Sequence, residues 1–240
     1  MDEERDEKVM PLLDHLEELR WRIIVCLISV AVFAIVGWFL SPYLIRILAR
    51  PVGALYFFTV TGAFLARLKV AIAVGVAAST PVILYQAWAF VVPALSKRER
   101  GYALPAVVSA TLLFVVGVGF ALFGILPLAV RFFLRFGAES LEELISVDRY
   151  LSFVLQLSIG FGVVFELPVI VLFLSKLGIV TADGLREKRR AAVVAIALMA
   201  AMLTPPDVVT MAALGIPLLI LYEVSIWVAR VAGRPPPGPD

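Results

Sequence analysis

The chain has 240 residues, of which 62% are hydrophobic and 17% charged, and its formal net charge is +2. Soluble domains contain about 45–50% apolar residues, so this composition excludes an ordinary soluble protein and indicates a membrane protein with several spans. Cys26 is the only cysteine and His15 the only histidine, so an intramolecular disulfide is excluded and no metal site or cofactor is predicted.

The segment before the first apolar run has two parts. Residues 1–10 are acidic and polar, and we expect them to be disordered and not to act as a cleavable signal peptide. Residues 12–22 (LLDHLEELRWR) carry leucines at helical spacing, which predicts an interfacial helix leading into the first span. Glu18 and Arg22 lie one turn apart on another face of that helix. The pattern alone favours a solvated helix without a further function.

Six transmembrane helices are predicted from the apolar runs, at about 23–40, 70–92, 102–130, 150–175, 191–206 and 208–228. The first four are near or above the roughly 20 residues that a helix needs to cross a bilayer. The uncharged parts of the last two, 191–206 and 208–222, have 16 and 15 residues, so they form either two short spans or a re-entrant pair. We adopt two short spans, within one membrane domain over 11–231 followed by a disordered Pro-rich tail over 232–240.

Prolines lie within or at the ends of most of these spans, at positions 81, 105, 127, 168 and 217. Proline removes a helical hydrogen bond and kinks a helix. The predicted fold class is therefore an all-α integral membrane protein of six kinked helices, which form a concave, glove-like wall.

The distribution of positive charge predicts the orientation. Fourteen of the 21 Lys and Arg residues lie in the two termini and in the loops after the second and fourth spans. Cytoplasmic segments of membrane proteins are enriched in Lys and Arg, so both termini are predicted to be cytoplasmic.

A single charged residue, Glu166, lies in the fourth predicted span. A charged side chain near the middle of a bilayer costs about 2.5–3.5 kcal/mol, so the residue is expected to have a function. Pro168 has no N–H to donate to the carbonyl of Val164, which adds a second polar group to the same region. The alternative is a protonated glutamate that caps a kink. Gln156 lies in the same span and belongs to the predicted intramembrane polar site.

Four motifs occur in a fixed order along the chain: HLEELRWR at 15–22, STPVILYQAWAFVVPAL at 79–95 followed by KRER, SFVLQLSIGFGVVFELPV at 152–169, and LTPPDV at 203–208. Together they resemble the TatC family, the multispanning subunit of the twin-arginine protein translocase. The resemblance extends from about Pro11 to Arg230.

This resemblance implies a receptor for signal peptides that carry two consecutive arginines before an apolar stretch. By the family pattern, Glu18 and Glu99 receive these arginines on the cytoplasmic face, with Glu17 as a rival to Glu18. Adjacent side chains of an extended peptide point in opposite directions, so two arginines need acceptors from two segments. Arginine pairs with carboxylate in a bidentate geometry that lysine does not reproduce. Further family positions on this surface are Arg20, Arg22, Phe90, Pro93, Leu95 and Arg100.

The resemblance also implies partners. Glu166 corresponds to the family's intramembrane acid, and Asp207 to the acid of the outer turn between the last two spans. Near that turn the family contacts single-span TatA-like and TatB-like subunits, and Thr204, Pro205 and Met211 are the expected contact residues. Met211 departs from the family, which often carries polar residues in this region.

The implied function is recognition and translocation of folded proteins, driven by the proton-motive force, at a bacterial inner membrane. Several copies are expected to assemble in a larger receptor complex, and no nucleic-acid partner is predicted.

Other classes fit less well. A serine protease of the membrane needs a Ser–His pair, but His15 precedes the first span. An aspartyl protease needs two acids that share a proton, and only Glu166 is deep. A proton-coupled transporter remains an alternative, with Glu166, Gln156 and Pro168 as its site. A channel lacks a recognisable filter sequence.

Overall fold

The computed structural model describes residues 3–91, 103–137, 144–203 and 208–232, with side chains described from 15 to 90, 104 to 135, 144 to 202 and 208 to 231. These residues are almost entirely helical, and their only β-type pairing is an isolated bridge between Tyr56 and Ser146. The helices are α1 (Glu3–Leu48), α2 (Gly62–Val91), α3 (Ala103–Phe120), a π-helical turn (Ala121–Ile125), α4 (Leu126–Gly137), α5 (Val147–Val164), α6 (Leu167–Lys176), α7 (Ala182–Glu187), α8 (Arg189–Leu203) and α9 (Val208–Ala232).

Within the described residues, five helical segments are long and apolar enough to cross a membrane: His15–Leu48, Gly62–Phe90, Leu104–Arg135, Val147–Lys176 and Val208–Val231. They correspond to the predicted first, second, third, fourth and sixth spans, of which the second and third extend by two residues beyond the candidate segments. The all-α membrane class is therefore confirmed, and the protein is a multi-pass membrane protein.

The first helix is longer than the sequence predicted. It begins at Glu3 and runs for 46 residues, so it includes most of the segment that was expected to be disordered. Glu, Arg and Lys dominate that segment and have high helix propensities. Adding such residues to an existing helix requires no new nucleation, which explains why the helix continues through them.

The last two predicted spans differ from one another. Helix α8 has 15 residues, which corresponds to about 22 Å at 1.5 Å per residue, and it is short as predicted. Helix α9 has 25 residues and is long enough to span, so the prediction of a short final helix was wrong. The uncharged run stops before Glu223, but this residue is about half exposed and pairs with Arg189, so its charge does not end the helix.

Two of the predicted proline kinks coincide with a change in helix type. The fourth predicted span is not continuous, because Phe165 and Glu166 separate α5 from α6 two residues before Pro168. In the third span, the π-helical turn ends at Ile125, two residues before Pro127, and the N–H of Leu126 donates to the carbonyl of Ala121. By contrast, Pro81 and Pro217 lie inside α2 and α9.

The predicted single membrane domain divides into two compact units, 1–45 with 67–111 and 46–66 with 112–240, whose boundaries fall inside α1, α2 and α3. In the first unit, two glycines allow α1 and α2 to approach closely. A Cβ on Gly37 would lie 2.7 Å from the carbonyl oxygen of Ala71, and one on Gly75 would lie 2.6 Å from that of Val30. Both separations are shorter than a van der Waals contact, so the backbones meet only because no side chain intervenes.

In the second unit, α9 packs against α6, α7 and α8, and α5 packs against the π-helical turn and α8. Two glycines again allow close contact. A Cβ on Gly117 would lie 2.7 Å from the carbonyl oxygen of Phe161, and one on Gly162 would lie 2.6 Å from the ring of Phe114. A Cβ on Gly119 would meet nothing within 4 Å, so this glycine makes no such contact.

Candidate functional sites at Glu18 and Glu166

The first candidate site is the Glu18 cluster, which consists of His15, Glu18 and Arg22 on α1 and Gln86 and Phe90 on α2. Residues three and four apart share one face of a helix, which brings the three α1 side chains together. The α2 residues lie in the last turns of their helix. All five belong to the first unit.

Arg22 is the centre of this cluster. Its Nη2 and Nε donate to Oε1 of Glu18 at 2.6 and 3.1 Å, its Nη1 donates to Oε1 of Gln86 at 3.0 Å, and Nη2 also donates to the carbonyl of Ala89 at 3.0 Å. The arginine side chain is 19% exposed and that of Glu18 is 35% exposed. Charge-assisted hydrogen bonds are stronger than neutral ones, so Arg22 fixes the orientation of the Glu18 carboxylate and joins α1 to α2.

The second oxygen of the Glu18 carboxylate, Oε2, receives fewer hydrogen bonds than Oε1. Among the described residues, its partner is His15, whose Nδ1 lies 3.7 Å from Oε2, beyond ordinary hydrogen-bond range. The His15 ring is stacked on Phe90, with ring centroids 4.2 Å apart and planes at 15°. A carboxylate oxygen has two lone pairs, so Oε2 keeps acceptor capacity for an additional donor.

A shallow cleft of about 490 Å³ lies beside Glu18 and is lined by Glu17, Glu18, Arg20, Trp21 and Ile24. Arg20 and Glu17 are exposed. Of the two rival acids, Glu18 is the one that the described hydrogen bonds hold in place, which distinguishes it from its neighbour.

Sequence reasoning missed two members of the cluster, His15 and Gln86. Both occur inside the motifs that carry the family resemblance, and their polarity beside the apolar runs was the available signal. The other residues predicted for this surface, Glu99, Pro93, Leu95 and Arg100, lie outside the described residues.

The second candidate site is Glu166, which lies at the break between α5 and α6. Its side chain is only 7% exposed, and Oε1 has no hydrogen-bond partner among the described residues. Its backbone carbonyl accepts from the N–H of Ile170 at 2.9 Å and so begins α6, while the side chain makes no capping bond. Pro168 is buried in the first turn of α6. A buried acceptor without a donor is energetically unfavourable, so this site is incomplete within the described part of the chain.

Gln156 does not complete it. This residue is exposed, and its Nε2 donates to the carbonyl of Met202 at 3.2 Å, in the last turn of α8. The last carbonyls of a helix lack partners within the helix, so Gln156 supplies one of the missing donors. It also precedes Glu166 by ten residues, which corresponds to about 15 Å along a helix. The intramembrane site predicted from Glu166, Gln156 and Pro168 is therefore not assembled as one cluster, and the transporter alternative loses its second polar group.

The outer turn contributes little to the described sites. Thr204, Pro205 and Asp207 lie outside the described residues. Met211 lies in the first turn of α9 and is partly exposed. It remains available to a partner, and it stays an expected contact residue only.

Comparison with known proteins gives one consistent result. A sequence profile of one family, described as "Sec-independent protein translocase protein (TatC)", matches residues 14–217. The chain is 41% identical over 230 residues to a Sec-independent protein translocase protein TatC of Carboxydothermus hydrogenoformans, covering 94% of this chain and 95% of the relative. It is 36% identical over 231 residues to the TatC of Escherichia coli strain K12, covering 93% of this chain and 90% of the relative.

A solved structure is also similar. The crystal structure of a protein described as the twin arginine translocase receptor TatC matches with a TM-score of 0.84 and 36% sequence identity, covering 92% of this chain and all of that chain. The similarity therefore extends over most of the chain and is not limited to the motifs.

Proposed function

The chain belongs to the TatC family of Sec-independent protein translocase proteins, and from that premise we propose that it is the receptor subunit that binds twin-arginine signal peptides. Glu18 and Glu99 accept the two arginines, and Arg20, Arg22, Phe90, Pro93, Leu95 and Arg100 surround them. The single observation that carries this proposal is the Glu18 carboxylate, which is held by Arg22 through Oε1 and keeps acceptor capacity at Oε2.

The orientation of Glu18 matters because a receptor gains affinity when its polar groups are already placed. Arg22 binds through Nε and Nη2 to one oxygen and anchors itself to α2 through Gln86 and the carbonyl of Ala89. The incoming arginine then meets a carboxylate that needs no reordering. In this proposal Arg22 is a positioning residue, and the carboxylate of Glu18 contacts the signal peptide.

The positive charge of Arg22 also limits how strongly Glu18 attracts a second arginine. Part of the carboxylate charge is already compensated at 2.6 Å, so one acid alone gives a weak site. A second carboxylate from another segment is needed, and Glu99 supplies it. The paired arrangement selects two neighbouring arginines over an isolated one, since each site contributes little by itself.

The remaining predicted residues form the second half of the proposal. Glu166 lacks a hydrogen-bond donor for Oε1, which supports a role in contacting an inserted signal or a span of a partner subunit. The outer turn around Thr204, Pro205 and Asp207, with Met211 on α9, contacts TatA-like and TatB-like single-span subunits. The chain performs no catalysis in this proposal. Several copies, with both termini cytoplasmic in a bacterial inner membrane, assemble into a complex driven by the proton-motive force.

The test is binding of a fluorescent twin-arginine signal peptide to the protein in nanodiscs, measured by anisotropy. A Lys-Lys version of the peptide and the variants Glu18→Gln and Glu99→Gln are each expected to bind about fivefold more weakly. This corresponds to about 1 kcal/mol, the upper end for exposed ion pairs. Glutamine keeps the size of glutamate and still accepts a hydrogen bond from Arg22, so the fold of the cluster is preserved.

Glu17→Gln is the matched control, because it removes the same charge one residue away from a side chain that the described hydrogen bonds do not hold. It is expected to bind the peptide as the unmodified protein does. If Glu17→Gln weakened binding and Glu18→Gln did not, the assignment would shift to the rival acid. Equal binding of both peptides by every variant would contradict the receptor proposal.

A further inference from the structure

The connection between α1 and α2, residues 49–61, has the features of a segment that enters a lipid bilayer. It contains four neighbouring exposed apolar or aromatic side chains: Tyr56 is 44% exposed, Phe57 66%, Phe58 65% and Val60 100%. Exposed phenylalanines are unfavourable in water because each carries a large apolar area. Two consecutive phenylalanines that the protein itself leaves exposed indicate a surface that contacts another component of the membrane.

The scarcity of charge distinguishes this connection from an ordinary aqueous loop. Arg50, near its start, is its only charged residue, and the next one along the chain is Arg67, on α2. An aromatic segment with a cation at its edge has the pattern of a membrane interface. Tyr and Trp are enriched at that level, and a cation such as Arg50 can extend towards the anionic phosphate groups, whereas Arg67 is directed towards Ser41 and Trp38.

The segment is held at the level where helices end. Tyr56 forms a bridge to the start of α5, with its N–H donating to the carbonyl of Ile145 and its carbonyl accepting from the N–H of Val147, both at 2.9 Å. The hydroxyl of Tyr150 donates to the carbonyl of Leu48 at 2.7 Å. The ends of three candidate spans, Leu48, Gly62 and Val147, are thus connected through this segment.

The two phenylalanines also form one wall of a recess of about 930 Å³, whose lining includes Leu65, Leu144 and Tyr150. The aromatic surface is therefore open on the side of the recess as well as outwards. Its lining combines these apolar and aromatic side chains with Asp148 and Arg149, and it lies beside the ends of membrane-spanning helices, so it suits the region where headgroups and acyl chains of lipids meet.

We propose that the loop segment Tyr56–Val60 is a membrane anchor, which inserts Phe57 and Phe58 into the lipid interface on the side opposite the N-terminus. The occupant of this surface is the phospholipid bilayer itself. The side follows from chain order, since α1 crosses the membrane once before the segment begins. Insertion would fix the height of α1, α2 and α5 relative to the bilayer, independently of any signal-peptide binding.

The test places an environment-sensitive fluorophore on the segment in nanodiscs that hold one copy of the protein. Cysteine is introduced by Phe58→Cys and, separately, by Val60→Cys, in a Cys26→Ser background. Val60 is fully exposed, so its replacement leaves no cavity. We expect lipids brominated near the headgroup to quench most of the emission at both positions, and aqueous iodide to quench little.

Two reference positions give the quenching expected for a lipid-exposed and for a water-exposed fluorophore. Phe39→Cys lies on an exposed face within the first candidate span, and Asp183→Cys lies in the short helix α7 outside the candidate spans, where its side chain is 89% exposed. The proposal predicts that positions 58 and 60 behave like position 39. Quenching by iodide, as at position 183, would overturn it. Protection from both quenchers would also overturn it, because protein and not lipid would then cover the segment.

Discussion

Glu18 and Glu166 are both acidic residues beside or within apolar helices, yet their exposure and their hydrogen bonds are opposite. Glu18 is about one third exposed and receives two hydrogen bonds from an arginine that is itself anchored to a second helix. Glu166 is 7% exposed, and its Oε1 has no donor among the described residues. The first carboxylate is oriented by its own chain, while the second has a buried oxygen, Oε1, that receives no hydrogen bond from the described residues.

Under the proposed function, this difference suits two kinds of ligand. A carboxylate held in place by one cation can still accept another, which suits a peptide that approaches from water. A buried carboxyl group without a donor is destabilising until a donor arrives, which suits a partner that enters the membrane. The contrast leads to three predictions, ordered by the size of the expected effect.

The largest effect is expected for Arg22→Ala. This change removes four hydrogen bonds and leaves the Glu18 carboxylate and two acceptors of α2 without their donor, so the free energy of unfolding should fall by about 2 kcal/mol. Denaturant titration in mild detergent, followed by tryptophan fluorescence, measures this loss.

Arg189→Ala is the control, because Arg189 forms an equally short pair with Glu223 at 2.7 Å but both side chains are about half exposed. Its loss should be at most about 1 kcal/mol. Equal losses would show that Arg22 is an ordinary surface residue.

The second prediction concerns the sign of the change in the free energy of unfolding when each acid is replaced by leucine. Glu166→Leu should raise the free energy of unfolding by about 1 kcal/mol, because it removes a buried acceptor, Oε1, that has no donor among the described residues. Glu18→Leu should lower it by about 1 kcal/mol, because Arg22 then loses its ion pair. The same titration measures both variants. Destabilisation by Glu166→Leu would mean that the carboxyl group has a partner in the folded protein, and the contrast between the two acids would disappear.

The smallest effect is expected for Gln156→Ala. The change removes one neutral hydrogen bond to the carbonyl of Met202, so the free energy of unfolding should fall by about 0.5–1 kcal/mol. Signal-peptide binding should stay unchanged, since the residue belongs to neither site. A loss of peptide binding in Gln156→Ala would restore a polar site that includes both Gln156 and Glu166.

Glu166→Gln offers the complementary measurement: it should leave peptide binding intact and reduce export in a reconstituted system.

Much of the helical architecture could be predicted from the apolar runs, because a bilayer requires long uncharged helices. The predicted helix boundaries were wrong where charged residues do not end the helix. Helix α1 continues outwards to Glu3 through good helix formers, and α9 continues past Glu223 because that side chain pairs with Arg189 on the surface. The break at Glu166 was signalled by Pro168, but the sequence did not indicate that it is confined to Phe165 and Glu166, which keep right-handed helical dihedrals between α5 and α6.

The sequence by itself determined the membrane class, the order of the spans, the family resemblance and the Glu18–Arg22 pair, because each depends on residues that are close together in the chain. Only the tertiary structure decided the partners that are distant in sequence. Arg22 meets Gln86 across 64 positions, and Gln156 meets Met202 across 46, away from Glu166. Helical periodicity shows which face a residue occupies, but not which helix packs against that face. That choice follows from close backbone contacts such as those at Gly37 and Gly75.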